Sequence, residues 1–429
     1  MTPIVEEIEI TKLTPYANNS RTHSDKQIKQ IAASVKQFGF TIPILIDENN
    51  MILAGHGRIL AAKEISLDKV PSIRASHLTD AQKRAYIIAD NKLTENGGWN
   101  QDLLKEEFQF LNDIDLEFDL DITGFEIAEI DLMLDHGLID EQDDELPETD
   151  HKTPPITQLG DIWQLGGHKL FCGDSLKEES YLKLMRDEKA SMVFTDPPYN
   201  VSIDGHVCGN GSVKHEEFAM ASGEMNAAEF TQFLETVSSR MVESSVDGSI
   251  HYICMDWRHI QELKQAGEAA GYDLKNICVW VKDNGGMGSL YRSRHEFVFV
   301  FKSGEASHTN NVQLGKYGRN RTNVWEYPGV NSFNGQMKDL RLHPTVKPTQ
   351  MVSDAIMDCS EINDIILDPF GGSGTTLIAA EKTQRKACLI EIDPHYCDVI
   401  IKRWQTLTGN SAINTATKEK FNDMEHNND

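Results

Sequence analysis

Two textures of apolar and polar positions divide the chain. Up to about residue 100, Ile28, Ile31, Ala32 and Val35 recur at helical spacing, and Ile42-Pro43-Ile44-Leu45-Ile46 and Met51-Ile52-Leu53 read as short strands. The second run enters Ala54-Gly55-His56-Gly57-Arg58 and a helical Ile59-Leu60-Ala61-Ala62-Lys63, the pattern of a compact mixed α/β unit. Residues 100–137 read as helical and acidic, with Leu103, Leu104, Phe108 and Leu111 forming an apolar stripe. From about residue 157, short apolar runs alternate with helical patterns. Ser191–Phe194, Ser249–Ile253, Ile277–Val281, Phe297–Val300, Ile365–Leu367 and Ala387–Ile390 predict buried strands, and their separation by helices predicts a mainly parallel sheet. The polar stretch over 410–429 predicts a disordered tail. The resulting division is a first domain over 1–100, an acidic helical extension over 101–139, a linker over 140–156 and an α/β domain over 157–409.

Composition narrows the class. A chain of 429 residues with 39% hydrophobic and 25% charged content suits a globular protein of two to three domains. No run approaches the roughly 18–20 apolar residues a membrane span needs, and no signal-peptide pattern opens the sequence. Seven cysteines without a CxxC pair favour reduced thiols in a cytosol, and argue against a structural zinc site. A net charge of −26 argues against a nucleic-acid partner until its distribution is considered. Residues 102–148 hold 18 acidic residues against Lys105 alone, whereas residues 282–347 hold 10 basic against 5 acidic. A basic stretch therefore remains to meet phosphate.

The strongest chemical signal is Thr195-Asp196-Pro197-Pro198-Tyr199-Asn200, directly after a predicted strand. An exocyclic amine on adenine or cytosine is a poor nucleophile because its lone pair is delocalised into the ring. Asp196 and the Pro197 carbonyl can accept its two hydrogens and favour a pyramidal nitrogen aimed at an electrophilic methyl. Pro197 and Pro198 stiffen the backbone and remove competing donors. Tyr199 can stack on an extruded base for about 1–3 kcal/mol, comparable with the cost of extrusion. The second signal is Asp368-Pro369-Phe370-Gly371-Gly372-Ser373-Gly374-Thr375, a strand, a glycine-rich turn and a helix start. The glycines would allow a ligand close to the backbone, with helix amides free to meet it. Glu391 lies 23 positions after Asp368 at the next strand's end, a spacing that suits a carboxylate on ribose hydroxyls. No Gly-Lys-Ser/Thr follows the glycines, which disfavours a phosphate loop, and Asp-Pro-Phe departs from the nicotinamide fingerprint. His343-Pro344-Thr345-Val346-Lys347-Pro348 and Gly173-Asp174-Ser175 precede the two signals.

Together these residues resemble the circularly permuted amino-methyltransferases of DNA over about residues 157–408. The resemblance implies a Rossmann-like α/β fold and S-adenosylmethionine as cofactor. It implies that Asp196, Pro197 and Tyr199 hold the target amine, with Pro198 in the same motif. Asp368, Phe370, Gly371, Gly374 and Thr375 would line the cofactor pocket, Glu391 would hold the ribose, and Asp174 the adenine edge. His343 and Lys347 would complete the pocket around the methionine. In that group Asp-Pro-Pro-Tyr is commoner with adenine N6 products and Ser-Pro-Pro-Tyr with cytosine N4, so site-specific adenine methylation is expected and cytosine N4 stays an alternative. Target recognition would fall in 302–342, where Lys316, Arg319, Arg321, Lys338 and Arg341 are interleaved with Tyr317, Trp325, Tyr327 and Phe333. The glycine-rich 201–225 would form a flap.

Leu13-Thr14-Pro15-Tyr16, Asn19-Ser20-Arg21 and Ala54-Gly55-His56-Gly57-Arg58 resemble the amino-terminal domain of the ParB partition family over about residues 5–100, a smaller α+β unit. Gly55, Gly57 and Arg58 at a helix start form a candidate phosphate cradle. The family's Gly-Glu-Arg-Arg run is missing, and internal pairing of Arg58 in a docking module is the competing reading. The partners implied are double-stranded DNA, a nucleotide at the N-terminal domain and a second copy of the chain. A nucleotide-gated DNA-binding protein with an accessory methyltransferase, and a methyltransferase for RNA or protein glutamine, are the other classes. Restriction–modification or phage systems are the expected setting.

Overall fold

The computed structural model describes residues 4–95, 97–112, 120–134, 141–147, 153–200, 223–283, 290–315, 319–329 and 346–425. The chain divides into two compact units, Met1–Leu134 and Asp135–Asp429. The first holds β1 (Val5–Glu9), β2 (Ile44–Ile46), β3 (Ile52–Ala54) and β4 (Lys69–Arg74) in the sheet order β1-β4-β2-β3. Its first long helix, Asp25–Phe38, starts where Ser24 accepts a hydrogen bond from the Gln27 amide and stops at Gly39, whose φ of 79° suits glycine. Ile44, Ile46, Ile52, Ile59 and Val70 form the core between sheet and helices. Helices Asp80–Glu95, Gln101–Asn112 and Ile127–Leu134 follow.

The second unit is built on ten strands: β5 (Ile162–Leu165), β6 (His168–Cys172), β7 (Ala190–Thr195), β8 (Ser245–Met255), β9 (Asp273–Val281), β10 (His295–Lys302), β11 (Val324–Glu326), β12 (Ile365–Asp368), β13 (Lys386–Glu391) and β14 (Ile413–Asn414). Their order is β11-β9-β10-β8-β7-β12-β13-β6-β5-β14. The central strands β8-β7-β12-β13-β6 are parallel throughout. Antiparallel pairs flank this centre, β10 with β8 and β9 on one side, β5 with β6 and β14 on the other. Alternate residues of β7 enter different cores. Met192 and Phe194 pack with Ala355, Ile356, Leu377 and Ile378, whereas Val193 packs with Phe230, Phe233 and Val237. Helices therefore cover both faces, which is why these strands read as continuous apolar runs.

Two expectations change. The stretch after 410 is ordered through Glu425: β14 pairs with β5, and the helix Phe421–Glu425 places Phe421 fully buried, its ring 5.4 Å from that of Trp163. One large aromatic anchors a polar segment that composition alone reads as disordered. Within the expected linker, a short 3-10 helix Glu141–Asp144 is docked rather than free. Asp144 accepts from the Thr349 amide at 2.8 Å and from its hydroxyl at 2.5 Å, and so caps the helix Thr349–Cys359. Asp143 pairs with Lys382 at 3.1 Å.

Candidate active site

Chain direction places the site. From β12 the chain continues to β13 on one side, and from β7 to β8 on the other, so the order reverses between β7 and β12. Crevices at such reversals, beyond the carboxyl ends of parallel strands, are where α/β sheets bind ligands. Four sequence signals end there side by side: Asp174 after β6, Glu391 closing β13, Asp368 closing β12 and Asp196 after β7. The Thr195 hydroxyl donates to Asp368 Oδ1 at 2.8 Å and joins the two principal motifs directly.

On the cofactor side, Asp368 also accepts from the Thr376 hydroxyl at 2.6 Å and the Phe370 amide at 3.0 Å. Burial raises its carboxyl to about 7 despite those donors. Glu391 accepts from the Gly372 amide at 2.7 Å and the Asp393 amide at 2.9 Å, and burial likewise raises it to about 7. Asp174 accepts from the Leu176 amide at 2.9 Å. A row of carboxylates fits a ligand with ribose hydroxyls, an amino edge and a cationic sulfonium; it would repel the pyrophosphate of a dinucleotide. The residues present therefore fit S-adenosylmethionine.

Two glycines of this turn also meet a packing requirement. A Cβ at Gly371 would meet Ile400 Cδ1 at 3.2 Å and Leu389 Cδ2 at 3.3 Å, and one at Gly374 would meet Ile400 Cγ1 at 3.0 Å. Both serve close packing of the turn on the helix Pro394–Thr408, and Gly374 also holds φ at 84°. The Thr375 hydroxyl faces Arg403 and Ser373, each at 3.4 Å, inside the protein. Phe370 lies at the crevice with its ring 6.0 Å from Phe233.

On the catalytic side, Asp196 Oδ1 accepts from the Tyr199 hydroxyl at 2.6 Å, and its other oxygen pairs with Lys347. Lys347 also bridges to Glu296 at 3.2 Å and donates to the Tyr199 oxygen at 3.3 Å. Glu296 is paired in turn with Lys282. Burial raises the Asp196 carboxyl, and Lys347 only partly offsets it. For Glu296 burial acts upward too, but Lys347 and Lys282 together overcome it and hold the group at about 2. Lys347, expected in the methionine pocket, is paired here with the Asp196 carboxylate. Its side chain is 5% exposed, and a buried cation takes the nearest available anions. Glu296 and Lys282 were not singled out from sequence, and Thr195 was read only as the opening of its motif, without a role. A glutamate opening the apolar run His295–Lys302 was the available signal for the first. Asn200, at φ 52°, accepts from the amides of Gly223 and Met225 at 3.1 and 3.2 Å and pins the returning end of the glycine-rich segment. The rest of the expected flap, 201–222, lies outside the described residues, as do His343, Lys316, Lys338 and Arg341.

Arg319 and Arg321 are described, and they do not face solvent as phosphate contacts would. Arg319 Nη2 meets Asp358 Oδ1 at 3.0 Å and Asp354 Oδ1 at 3.4 Å. Arg321 meets Asp358 at 3.0 Å, Asp354 at 3.1 Å and the Tyr327 hydroxyl at 2.6 Å. The helix Thr349–Cys359 supplies both acids, so this pair of arginines anchors the chain to the domain core. In the first unit, Gly55 caps the helix His56–Glu64 at φ 98°, but Arg58 turns back to the carbonyls of Ile42 and Pro43. A Cβ at Gly57 would strike the His23 ring at 2.9 Å. Arg58 and His23 thus stand against the two glycines, Gly55 and Gly57.

A doubly wound sheet with this carboxylate row and an Asp-Pro-Pro-Tyr turn defines an S-adenosylmethionine-dependent methyltransferase. Residues 190–403 match the DNA methylase family of N6 and N4 amino-methyltransferases, and the chain belongs to it. Residues 2–92 match the ParB N-terminal domain, and residues 102–159 the ParB-methyltransferase HTH domain. The latter spans both the expected helical extension and the linker. The chain is 26% identical over 235 residues to the type II methyltransferase M2.MboI of Moraxella bovis, covering 53% of this chain and 85% of that protein. It is 26% identical over 275 residues to the DNA adenine methyltransferase YhdJ of Escherichia coli (strain K12), covering 58% and 86%. Its N-terminal part is 53% identical over 75 residues to the ParB-like nuclease domain-containing protein YnaK of the same organism, covering 18% and 86%. No helix among the described residues is long and apolar enough to cross a membrane.

Proposed function

We propose that the protein methylates the N6 amine of adenine in double-stranded DNA at Asp196, in the cytoplasm of a bacterial or phage-infected cell. The observation carrying this reading is the juxtaposition of Asp196 with Tyr199 and Lys347, one hydrogen bond away from Asp368 through Thr195. S-adenosylmethionine supplies the electrophilic methyl group. Glu391 and Asp174 would hold its ribose and adenine, and Asp368 and Phe370 would line the pocket toward Asp196. Asp196 and the Pro197 carbonyl accept the amine's hydrogens, so the nitrogen lone pair is freed from the ring and pointed toward the cofactor side. As the methyl group exchanged its bond to the sulfonium sulfur for one to nitrogen, leaving a neutral thioether, the proton shed by the nitrogen would pass to Asp196, whose carboxyl burial has already raised. The Lys347 ammonium lies at the hydroxyl end of Tyr199, 3.3 Å from its oxygen and 5.5 Å from the ring centroid, and the extruded base would stack on that ring. An aspartate at the first motif position and the likeness to YhdJ support adenine over cytosine.

The test is nucleoside mass spectrometry of DNA of varied sequence after incubation with purified protein and S-adenosylmethionine. N6-methyladenine is expected. N4-methylcytosine alone would overturn the choice of base, and neither product would overturn DNA methylation. An Asp196→Ala variant should lose the product while still binding cofactor.

A further inference from the structure

We infer that the duplex beside the target base is gripped by a rim of aromatic and cationic side chains at the adjoining ends of β8 and β10: Trp257, Arg258, Tyr291, Arg292 and Arg294. This rests on the DNA reading above and names the surface through which it would act. Met255, the last residue of β8, pairs with Phe297, so Asp256–Arg258 leaves the sheet beside the residues that lead into β10. Arg294 is fixed against β9: its carbonyl accepts from the Lys282 amide at 2.8 Å, and its Nε donates to the Lys282 carbonyl at 3.0 Å. Glu296, two residues on, accepts from the Tyr199 hydroxyl at 3.2 Å, so the rim adjoins the Asp196 cluster.

Its composition is unlike a solvated loop. Trp257 is 54% exposed and Tyr291 84%, two large rings beside three exposed arginines. The Arg258 guanidinium stands 5.0 Å from the Trp257 ring and is braced by Asp256 at 2.8 Å, so ring and cation are held together. Arginines paired with aromatic faces at the mouth of a base-extruding site suit phosphates on one side and the gap left in the stack on the other. Arg319 and Arg321 cannot supply this function while Asp354 and Asp358 hold them.

The experiment compares wild type, Trp257→Ala, the double variant Arg292→Ala/Arg294→Ala and the control Lys264→Ala on the helix Ile260–Ala269. The probe is a fluorescent duplex from genomic DNA that the wild type methylates, titrated at stepped salt. The double variant should lower the slope of log affinity against log salt by about two, one per arginine. Trp257→Ala should weaken binding about tenfold. Cofactor affinity by calorimetry and melting temperature should stay at wild-type values, as should all readouts of the control. Wild-type slope and affinity in both test variants, while the protein methylates DNA, would sink the rim and leave the methyltransferase reading intact. Tighter binding of an RNA duplex in the same titration would also overturn it. A wild type that neither binds nor methylates DNA would remove the reading itself.

Discussion

Lys347→Met separates two roles for one lysine, cofactor contact or partner of the catalytic carboxylate. Its ammonium stands between Asp196 and Glu296, with side-chain exposures of 5% for Lys347, 24% for Asp196 and 14% for Glu296. An ion pair at contact distance in surroundings of effective dielectric near 20 is worth roughly 4 kcal/mol. If half of that is lost from Asp196 after water and neighbouring dipoles readjust, about 2 kcal/mol, its carboxyl rises by about 1.5 pKa units. The sign follows from the active form. Asp196 accepts the amine's hydrogens only as a carboxylate, and burial already raises its pKa. Removing the cation raises it further, so activity disappears at a higher pH as acid is added. Initial rates of labelled methyl transfer between about pH 5.5 and 9 should show the acidic limb displaced upward by about 1–2 units. The rate should fall most at the acidic end of that range and recover toward its alkaline end. Lys347→Arg should keep the limb near its original place. An unmoved limb in the Met variant, with weakened calorimetric binding of S-adenosylmethionine, would refute the reasoning and return Lys347 to the methionine pocket.

Three further outcomes follow from the same geometry. Asp368 and Glu391 each sit at about 7 in the fold, above their unfolded values near 4, so the folded state retains protons that the unfolded state releases. Their contribution is full below the unfolded values and is lost as pH rises through about 7. Thermal melts of cofactor-free protein should therefore drop between pH 5 and 8, less so in Glu391→Gln; a flat profile would contradict the raised carboxyls. Phe421→Ala should cost about 3–5 kcal/mol in urea unfolding, since its ring is fully buried against Trp163. A chain cut after residue 410 that unfolds like the full one would show the tail to be dispensable. Arg319→Ala should destabilise by about 2–3 kcal/mol by removing one of the two arginines that neutralise the buried Asp358, leaving Arg321 alone against Asp354 and Asp358. Its effect should be seen in melting rather than in the salt dependence of DNA binding.

The local chemistry of this chain was readable from residue order. Asp196-Pro197-Pro198-Tyr199 and Asp368–Gly374 each couple an apolar run to a turn, and strand periodicity alone predicts that such motifs sit at strand ends. Helix stops and starts such as Ser24, Gly39 and the Asn226–Glu229 capping box are equally local. What depended on the tertiary structure was which charges meet. Lys347 lies 151 positions from Asp196, and Arg319 lies 39 from Asp358, so nothing in their spacing reveals that each neutralises the other. A basic stretch counted along the chain looks like a DNA surface, but once folded its arginines can be consumed by acids from a distant helix. The same holds for Phe421, whose burial needs β5 to be in place first. Periodicity reports the backbone's short-range preferences; ion pairing and burial are settled only when the sheet order brings remote segments into a medium where an unpaired charge is costly.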